Sequence, residues 1–339
     1  MSLFSQSFPP SPTYTEKDIP DLSGKVYLVT GGYSGVGLEV CRVLYHKGGR
    51  VIIVGRSQES YDTAVHDIKA NPGETAESKP GSLEFVKIDL VDLTTIKPAI
   101  DDLLARIDRL DVAWYNAGVM VPPVGSTTKQ GYELQWGTNV VAHFAVHALL
   151  TPILTSTAAA ASSSSAAGSV RAIWVSSILH TRSPKPYGIN FDDIKYTKTK
   201  ASPWLTYAQS KAGAVVLADE YAKRSVVNAG VGDDGTKKNH VVSISLNPGN
   251  LKTNLQRHTT SWIRKFFYDL ILYPQRMGGL TELYAGLAPE TGVDEFNGGY
   301  VIPFGRKGGI EAHVKKGLVE AGTGKKLWEM LEGEVKPYI

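Results

Sequence analysis

Short runs of β-branched and other apolar residues alternate along this chain with longer amphipathic stretches. This alternation is typical of βαβ units, in which a helix connects two parallel strands of one sheet. It predicts seven strands, at Lys25–Thr30, Arg50–Val54, Leu83–Ile88, Leu110–Tyr115, Val170–Ser176, His240–Leu246 and Tyr300–Ile302. No repeat or composition break divides the sequence. We therefore expect one α/β domain over residues 1–339, a doubly wound parallel sheet with helices on both faces.

The composition is that of a soluble globular protein, with 42% apolar and 20% charged residues. A net charge of +3 and the lack of a Lys/Arg cluster give no indication of nucleic-acid binding. The single cysteine, Cys41, excludes an intrachain disulfide and fits a reducing compartment. Residues 1–20 do not have the pattern of a secretory signal and are predicted to form an extended arm. No uninterrupted apolar stretch of about 18 residues occurs, so we expect a cytoplasmic protein.

A glycine-rich turn joins the first predicted strand to the first helix, with the sequence TGGYSGVG at residues 30–37. Gly31 permits the tight turn, Gly35 lets the backbone approach a pyrophosphate, and Gly37 lets the helix pack closely on the sheet. The free N–H groups of the helix N-terminus favour an anion. The turn predicts a dinucleotide site on a Rossmann-type fold, with contacts from Gly31, Tyr33, Ser34, Gly35, Val36 and Gly37.

The T-G-x-x-x-G-x-G spacing of this turn resembles that of short-chain dehydrogenases/reductases, and further matches follow along almost the whole chain. The resemblance implies cofactor contacts after the third, fourth and sixth strands. These are Asp89 and Leu90, then Asn116, Ala117 and Gly118, then Pro248, Gly249 and Thr253. The segment 180–203 and the tail 325–339 are similar to the retinol-dehydrogenase-like, fungal-type branch. The segment could line or shield the substrate entrance.

The end of the second strand bears on the choice between NAD and NADP. An acidic side chain there would bond the ribose hydroxyls of NAD, whereas an arginine can meet the 2′-phosphate of NADP. Gly55 stands where the resemblance places the acid, and Arg56 follows it directly. This favours NADP(H) over NAD(H), with Arg56 as a bidentate donor to the phosphate. The alternative is that Arg56 is a solvated loop residue.

A Tyr-x-x-x-Lys motif, the core of the family resemblance, occurs twice, at Tyr196/Lys200 and at Tyr207/Lys211. The chemistry requires both side chains on one helix face, one turn apart. A helical pattern follows Lys211, and Ser202-Pro203 is a helix-start signal before Tyr207. The first motif is rich in Thr and Lys and reads as a surface loop. We therefore take Tyr207 and Lys211 as the candidate catalytic pair, which by resemblance also contacts the cofactor.

The resemblance supplies two further catalytic candidates. Ser176 and Ser177 both end the fifth strand, and alignment with the family pattern favours Ser177 as the donor to the substrate oxygen. Asn139 matches the family's fourth catalytic position, with a purely structural helix asparagine as the alternative. His143 and His147 lie one turn apart, but without a third ligand nearby they do not predict a metal site.

The sequence leaves the roles of two segments open. Residues 254–295 are expected to shape the substrate pocket, and an apolar pattern recurs at helical intervals in Trp262, Ile263, Phe266, Phe267, Leu270 and Ile271. A lid over an apolar substrate, ordinary packing and a less expected membrane contact through 262–272 all fit this pattern. The Ala/Ser-rich segment 155–168 reads as a helix extension or a surface loop.

The sequence thus predicts an NADPH-dependent carbonyl reductase or alcohol dehydrogenase for a small, apolar substrate. The resemblance implies that Tyr207 exchanges a proton with the substrate oxygen and that Lys211 assists its ionisation. It also implies a homodimer through the helices that carry Asn139 and Tyr207. An NADP(H)-binding redox sensor without turnover is the competing hypothesis.

Overall fold

A mostly parallel sheet forms the centre of the protein. The computed structural model describes residues 3–74, 79–161, 169–196, 198–199, 201–230, 238–252 and 272–339. Within these residues, eight strands lie in the spatial order β3-β2-β1-β4-β5-β6-β7-β8. They are β1 (Val26–Thr30), β2 (Arg50–Gly55), β3 (Ser82–Lys87), β4 (Val112–Tyr115), β5 (Arg171–Val175), β6 (Val242–Leu246), β7 (Tyr300–Ile302) and β8 (Arg306–Gly308). The predicted α/β class and the seven predicted strands are confirmed, with ends that differ by up to two residues.

The eighth strand was not predicted. β8 pairs antiparallel with β7 at the edge of the sheet, with Ile302 opposite Arg306. Its three residues, Arg-Lys-Gly, have no apolar run and lie at an edge that is not buried on both faces. The alternation of apolar and polar residues that reveals a strand in a sequence is therefore absent there.

The sheet order reverses between β1 and β4. Val29 of β1 pairs with Ile53 of β2 on one side and with Trp114 of β4 on the other. Because ligands of open α/β sheets bind at the carboxyl ends of the strands on either side of such a point, the loops after β1, β2 and β4 define the expected ligand cleft.

Helices cover both faces of the sheet and divide the buried side chains into two cores. They are α1 (Leu3–Ser7), α2 (Gly35–His46), α3 (Gln58–Ala70), α4 (Ile96–Leu104), α5 (Leu134–Ala160), α6 (Pro203–Ala229), α7 (Gln275–Leu287), α8 (Ala312–Glu320) and α9 (Thr323–Val335). One core joins the sheet to α4, α5, α6, α8 and α9. The other joins it to α2, α3 and α7.

The helix α5 is apolar enough to cross a membrane by length and composition, but two thirds of its apolar window is buried inside the protein. It is therefore a core helix of this fold. Residues Gly137–Ala142 within it form a π-helical segment, a local widening that is often found at functional sites.

The N-terminal arm is more structured than predicted. Leu3–Ser7 is helical, and Gln6 and Glu16 are buried. Both carboxylate oxygens of Glu16 accept hydrogen bonds from Arg276 of α7, at 2.7 and 2.8 Å. The bidentate ion pair fastens the arm to the outer face of the second core, a long-range contact that local composition does not reveal.

Candidate active site

The turn after β1 has the geometry of a phosphate-binding site. The N–H of Gly31 donates to the carbonyl oxygen of Val54 at 2.7 Å, and this bond closes the turn against β2. A Cβ on Gly37 would lie 2.8 Å from the carbonyl oxygen of Gly31, so a larger residue would force α2 away from the turn. Gly35 has a φ of 61° and open space at its Cβ position, which leaves the N-terminus of α2 accessible to an anion.

A tyrosine of this turn packs over the end of β2. A Cβ on Gly55 would lie 2.7 Å from Cζ of Tyr33, well inside van der Waals contact. The Tyr33 hydroxyl also accepts a hydrogen bond from the backbone N–H of Arg56 at 3.3 Å. The Tyr33 ring thus fills the space where the side chain of an acid at position 55 would begin. The Arg56 side chain is exposed and borders the cleft.

The hydroxyl of Thr30 connects the ends of β1 and β4. It accepts hydrogen bonds from the backbone N–H groups of Asn116 and Ala117, each at 2.9 Å. The Asn116 amide donates to the carbonyl oxygen of Thr30 at 2.8 Å. These three bonds fix the Asn-Ala-Gly segment beside the glycine-rich turn.

A cleft of about 710 Å³ opens along these strand ends, within the range of roughly 300–1,000 Å³ common for small-molecule sites. It brings together most of the predicted cofactor contacts. These are Gly31, Tyr33, Ser34, Gly35, Val36, Arg56, Asp89, Leu90, Asn116, Ala117 and Gly118. Pro248 and Gly249 follow β6, where Gly249 has a φ of 109° and faces Phe304. Thr253 lies outside the described residues, as do residues 162–168 of the Ala/Ser-rich segment and 262–271 of the apolar pattern.

Asn139 lies in the π-helical segment and bonds in three directions. Its amide oxygen accepts from the N–H of Val119 at 2.9 Å, and its amide nitrogen donates to the carbonyl oxygen of Val119 and to the Ser210 hydroxyl, both at 3.0 Å. A Cβ on Gly118 would lie 3.2 Å from this amide oxygen and 3.6 Å from Nζ of Lys211. Asn139 therefore joins the loop after β4 to the helix that carries Lys211.

The two histidines of α5 have hydrogen-bonding partners that explain their positions. Nδ1 of His143 lies 3.2 Å from the carbonyl oxygen of Asn139, and its Nε2 lies 3.0 Å from the Thr30 hydroxyl. Nδ1 of His147 lies 2.8 Å from the Tyr115 hydroxyl. Burial lowers the pKa of His143 to about 4 and that of His147 to about 3, so both rings are neutral. Among the described residues, no group of three His, Cys, Asp or Glu could hold a metal ion.

Tyr207 and Lys211 lie one turn apart on α6, and both are buried. Nζ of Lys211 lies 5.6 Å from the centre of the Tyr207 ring and donates to the carbonyl oxygen of Val175 at 2.9 Å. Burial raises the pKa of Tyr207 to about 12, and a hydrogen bond with the Ser177 side chain opposes that rise. Burial lowers the pKa of Lys211 to about 8. The structure thus brings three of the candidate catalytic residues together at the end of β5.

The second Tyr-x-x-x-Lys motif has a different environment. Tyr196 lies outside the helices with a φ of 49°, and its hydroxyl donates to the Gln209 side chain at 3.1 Å. Lys200 lies outside the described residues. Tyr196 therefore supports the loop that precedes α6, whereas Tyr207 lies on the helix, as predicted.

The two serines that follow β5 have different surroundings. The buried Ser176 hydroxyl donates to the carbonyl oxygen of Lys211 at 2.7 Å and so fastens α6 to the strand end. Ser177 is half-buried, and its side chain lies close enough to Tyr207 to oppose the rise in the pKa of that tyrosine. Of the two, Ser177 has the geometry to reach a ligand beside Tyr207.

A buried carboxyl group that the sequence did not single out lies near this centre. Glu282 of α7 is fully buried, and neither of its carboxyl oxygens has a hydrogen-bond partner within the described part of the chain. Burial raises its pKa to about 8, and the attraction of Lys211 opposes that rise. Glu282 and Lys211 are separated by 71 positions, so no local motif could have indicated their proximity.

Comparison with known proteins gives the family. A family model described as short chain dehydrogenase matches residues 25–177. A short-chain dehydrogenase/reductase of Armillaria gallica is 38% identical over 337 residues, which cover 99% of this chain and 98% of that protein. This chain therefore belongs to the short-chain dehydrogenase/reductase family. The relatives found are consistent with the fungal-type branch of that family.

Two solved structures agree with the fold. A putative uncharacterized protein from Mycobacterium paratuberculosis has a TM-score of 0.66 and 24% identity, covering 95% of this chain and 97% of that one. A putative short chain dehydrogenase from Shigella flexneri, complexed with NADP, has a TM-score of 0.50 and 20% identity, covering 76% and 88%.

The substitution Glu282→Gln tests the buried carboxyl. The folded-state pKa is raised, so the protonated carboxyl favours the folded state at low pH. That contribution is lost as the pH rises from the unfolded value of 4.5 through about 8. Urea unfolding should therefore show that the variant gains stability over the wild type with rising pH, by about 3–5 kcal/mol across this window. The exposed Glu295→Gln is the control. A gain that does not change with pH would show that the Glu282 carboxyl is not buried in this way.

Proposed function

We propose that this oxidoreductase transfers hydride reversibly between NADP(H) and a carbonyl or alcohol carbon of a small, apolar substrate. The observation that carries the proposal is the group formed by the half-buried Ser177 and the buried Tyr207 and Lys211. Lys211 lies beside Gly118, which lines the nucleotide-sized cleft. A phenol, an ammonium and a hydroxyl that lie close together are the groups needed to move one proton to or from a substrate oxygen.

The cofactor supplies the hydride, and the chain supplies the proton. In the direction of reduction, the Tyr207 phenol gives its proton to the carbonyl oxygen as the hydride adds to the carbon, and the product is an alcohol. The Ser177 hydroxyl donates a hydrogen bond to the same oxygen while its negative charge develops. The Lys211 ammonium stabilises the phenolate that is left behind.

The remaining polar side chains have supporting roles. Asn139 keeps the loop after β4 against α6, at the side of the Lys211 ammonium. Ser176 fastens the backbone of Lys211 to the end of β5. With these bonds in place, the proton-transfer groups lose little conformational freedom when the substrate binds.

Four features support NADP(H) as the cofactor. No acid stands at position 55 to repel a phosphate, and the Tyr33 ring fills that space. The hydrogen bond from the Arg56 backbone to Tyr33 directs the chain so that the Arg56 side chain borders the cleft. A guanidinium there can bond a 2′-phosphate through two N–H groups. The similar Shigella flexneri structure is a complex with NADP.

A homodimer through α5 and α6 remains part of the proposal. The helix α9 packs on both, with the Trp328 ring 4.9 Å from Phe144 and 6.0 Å from Tyr221. A dimer that used the sides of α5 and α6 that face α9 would therefore include α9 in its interface. We also propose a cytoplasmic location, with a small-molecule substrate and no nucleic-acid partner.

Activity with a panel of aldehydes and ketones tests the enzyme against the non-catalytic sensor. The wild type should oxidise NADPH with at least one carbonyl, and Tyr207→Phe should lower kcat by about 100-fold or more, since it removes the proton donor. Ser177→Ala should lower kcat similarly, by about 10²–10³-fold. NADPH affinity of the Ser177 variant, measured by fluorescence, should stay near that of the wild type. Tight NADPH binding without turnover of any carbonyl would instead support the sensor.

A second experiment tests the cofactor preference. Arg56→Ala should raise the KM for NADPH about tenfold or more, because a charge-assisted bond is lost, and should leave the KM for NADH nearly unchanged. Gly55→Asp alone should clash with Tyr33, whereas Tyr33→Ala/Gly55→Asp should admit the carboxylate and raise kcat/KM with NADH relative to NADPH. Tyr33→Ala alone is the matched control. Equal effects of Arg56→Ala on both cofactors would contradict the assignment of NADP(H).

A further inference from the structure

A histidine lies three positions beyond the candidate catalytic serine. His180 belongs to the short 3₁₀ turn Ile178–Arg182, which begins directly after Ser177, and only 1% of its surface is exposed. Nδ1 of its ring lies 2.7 Å from the carbonyl oxygen of Ser177. The same oxygen also accepts the backbone N–H of His180 at 3.1 Å. The carbonyl of Ser177 is thus held from two directions by one residue.

The other side of the ring faces the C-terminal part of the chain. The backbone N–H of Glu311 donates to Nε2 of His180 at 3.2 Å. A carbonyl oxygen can only accept and a backbone N–H can only donate, so the two bonds together require the proton on Nδ1 and a free Nε2. His180 is therefore neutral in this arrangement, and protonation of Nε2 would break the bond to Glu311.

The His180 ring also contacts Tyr300, which lies next to the serine that bonds the backbone of Lys211. The Tyr300 hydroxyl lies 3.2 Å from Nδ1 of His180, and the two rings are 5.0 Å apart. The Ser176 side chain lies close enough to Tyr300 to oppose the rise in the pKa of Tyr300, and the Ser176 hydroxyl bonds the backbone of Lys211. A series of neighbouring polar side chains therefore extends from the backbone of Ser177 to that of Lys211, and His180 is the member that bonds Ser177.

We propose that His180 is a positioning residue, whose neutral, Nδ1-protonated ring holds the Ser177 backbone so that the serine hydroxyl points at Tyr207. This inference rests on the proposed function, because it assigns His180 a role in the same proton transfer. A shift of the serine by about 1 Å can cost roughly 100-fold in rate, so a bond that fixes its carbonyl bears directly on kcat.

The arrangement also predicts a pH dependence. Burial lowers the pKa of His180. The hydrogen bond to the Ser177 carbonyl and the Glu311 carboxylate oppose this fall, and His313 adds to it. The Tyr300 hydroxyl is a further titratable group in contact with the ring. His313 itself faces Glu311 and Lys185. Since the folded-state pKa lies below the ordinary value of 6.5, the positioning is intact at neutral pH. As the pH falls through that lowered value, protonation of Nε2 removes the bond from the Glu311 N–H. The ring then keeps its bond to Ser177 but loses the contact that fixes its other side.

Three substitutions separate positioning from mere packing. His180→Ala removes both bonds, His180→Asn keeps a donor near the Nδ1 position without a titrating group, and His180→Gln keeps a polar group only near the Nε2 position. We expect His180→Ala to lower kcat by about 10- to 100-fold, with NADPH affinity within about twofold of the wild type. His180→Asn should recover most of the activity, and His180→Gln should not. The exposed His66→Ala serves as the control.

The pH profile of kcat completes the test. The wild type should lose kcat on an acidic limb below pH 6.5, and His180→Asn should lack that limb. Nitrogen NMR of labelled histidine should find the Nδ1-protonated form at neutral pH, a readout that does not need a substrate. Unchanged kcat in His180→Ala, equal kcat in the Ala and Asn variants, or an Nε2-protonated ring would overturn the inference. Full activity in Tyr207→Phe would instead overturn the proposed function.

Discussion

The ammonium of Lys211 lies buried at the end of β5, where it donates to the carbonyl oxygen of Val175 at 2.9 Å. Burial of a charge costs free energy unless hydrogen bonds and opposite charges compensate. The surrounding structure supplies part of this compensation, through the strand-end carbonyl and the Glu282 carboxyl, although burial still lowers the pKa of Lys211 to about 8. In the proposed role of Lys211, an ammonium in such a buried place would act on the Tyr207 phenolate with little screening by water.

The parallel sheet determines where these groups meet. The residues that border the cleft follow β1, β2, β3 and β4, and Ser177 follows β5, so all of them reach one edge of the sheet. Tyr207 and Lys211 come from a helix, and Ser176 fastens that helix to the same edge. The geometry of the site is therefore a consequence of strand direction, together with a few bonds between the loop ends.

The parts that the sequence could predict are those with a local signal. In the glycine-rich turn, a side chain at Gly37 would clash with the carbonyl oxygen of Gly31. The spacing of the glycines in the sequence therefore indicates this close packing. The helix pattern after Lys211 separated Tyr207 from Tyr196, and the structure places them on a helix and in a loop, respectively. The family resemblance then supplied the order of the remaining candidates.

The parts that could not be predicted depend on side chains that meet across long separations. Tyr33 fills the space at Gly55, Glu282 lies buried near Lys211, and His180 connects Ser177 to the backbone of Glu311. These contacts follow no recognisable spacing, since each of them depends on how two distant elements pack. The short strand β8 was missed for another reason, because its polar residues have no strand periodicity.

The ionisation of Tyr207 shows whether its phenol can act as the proton donor. Tyrosinate absorbance, taken as the difference between the wild type and Tyr207→Phe, can be titrated with and without bound NADP⁺. In the free protein, the Tyr207 phenol should titrate with a pKa of about 12. With NADP⁺ bound, the pKa should fall below the ordinary 10, because the positive charge of the nicotinamide joins that of Lys211. A titration that NADP⁺ does not change would contradict the assignment of Tyr207 as the proton donor.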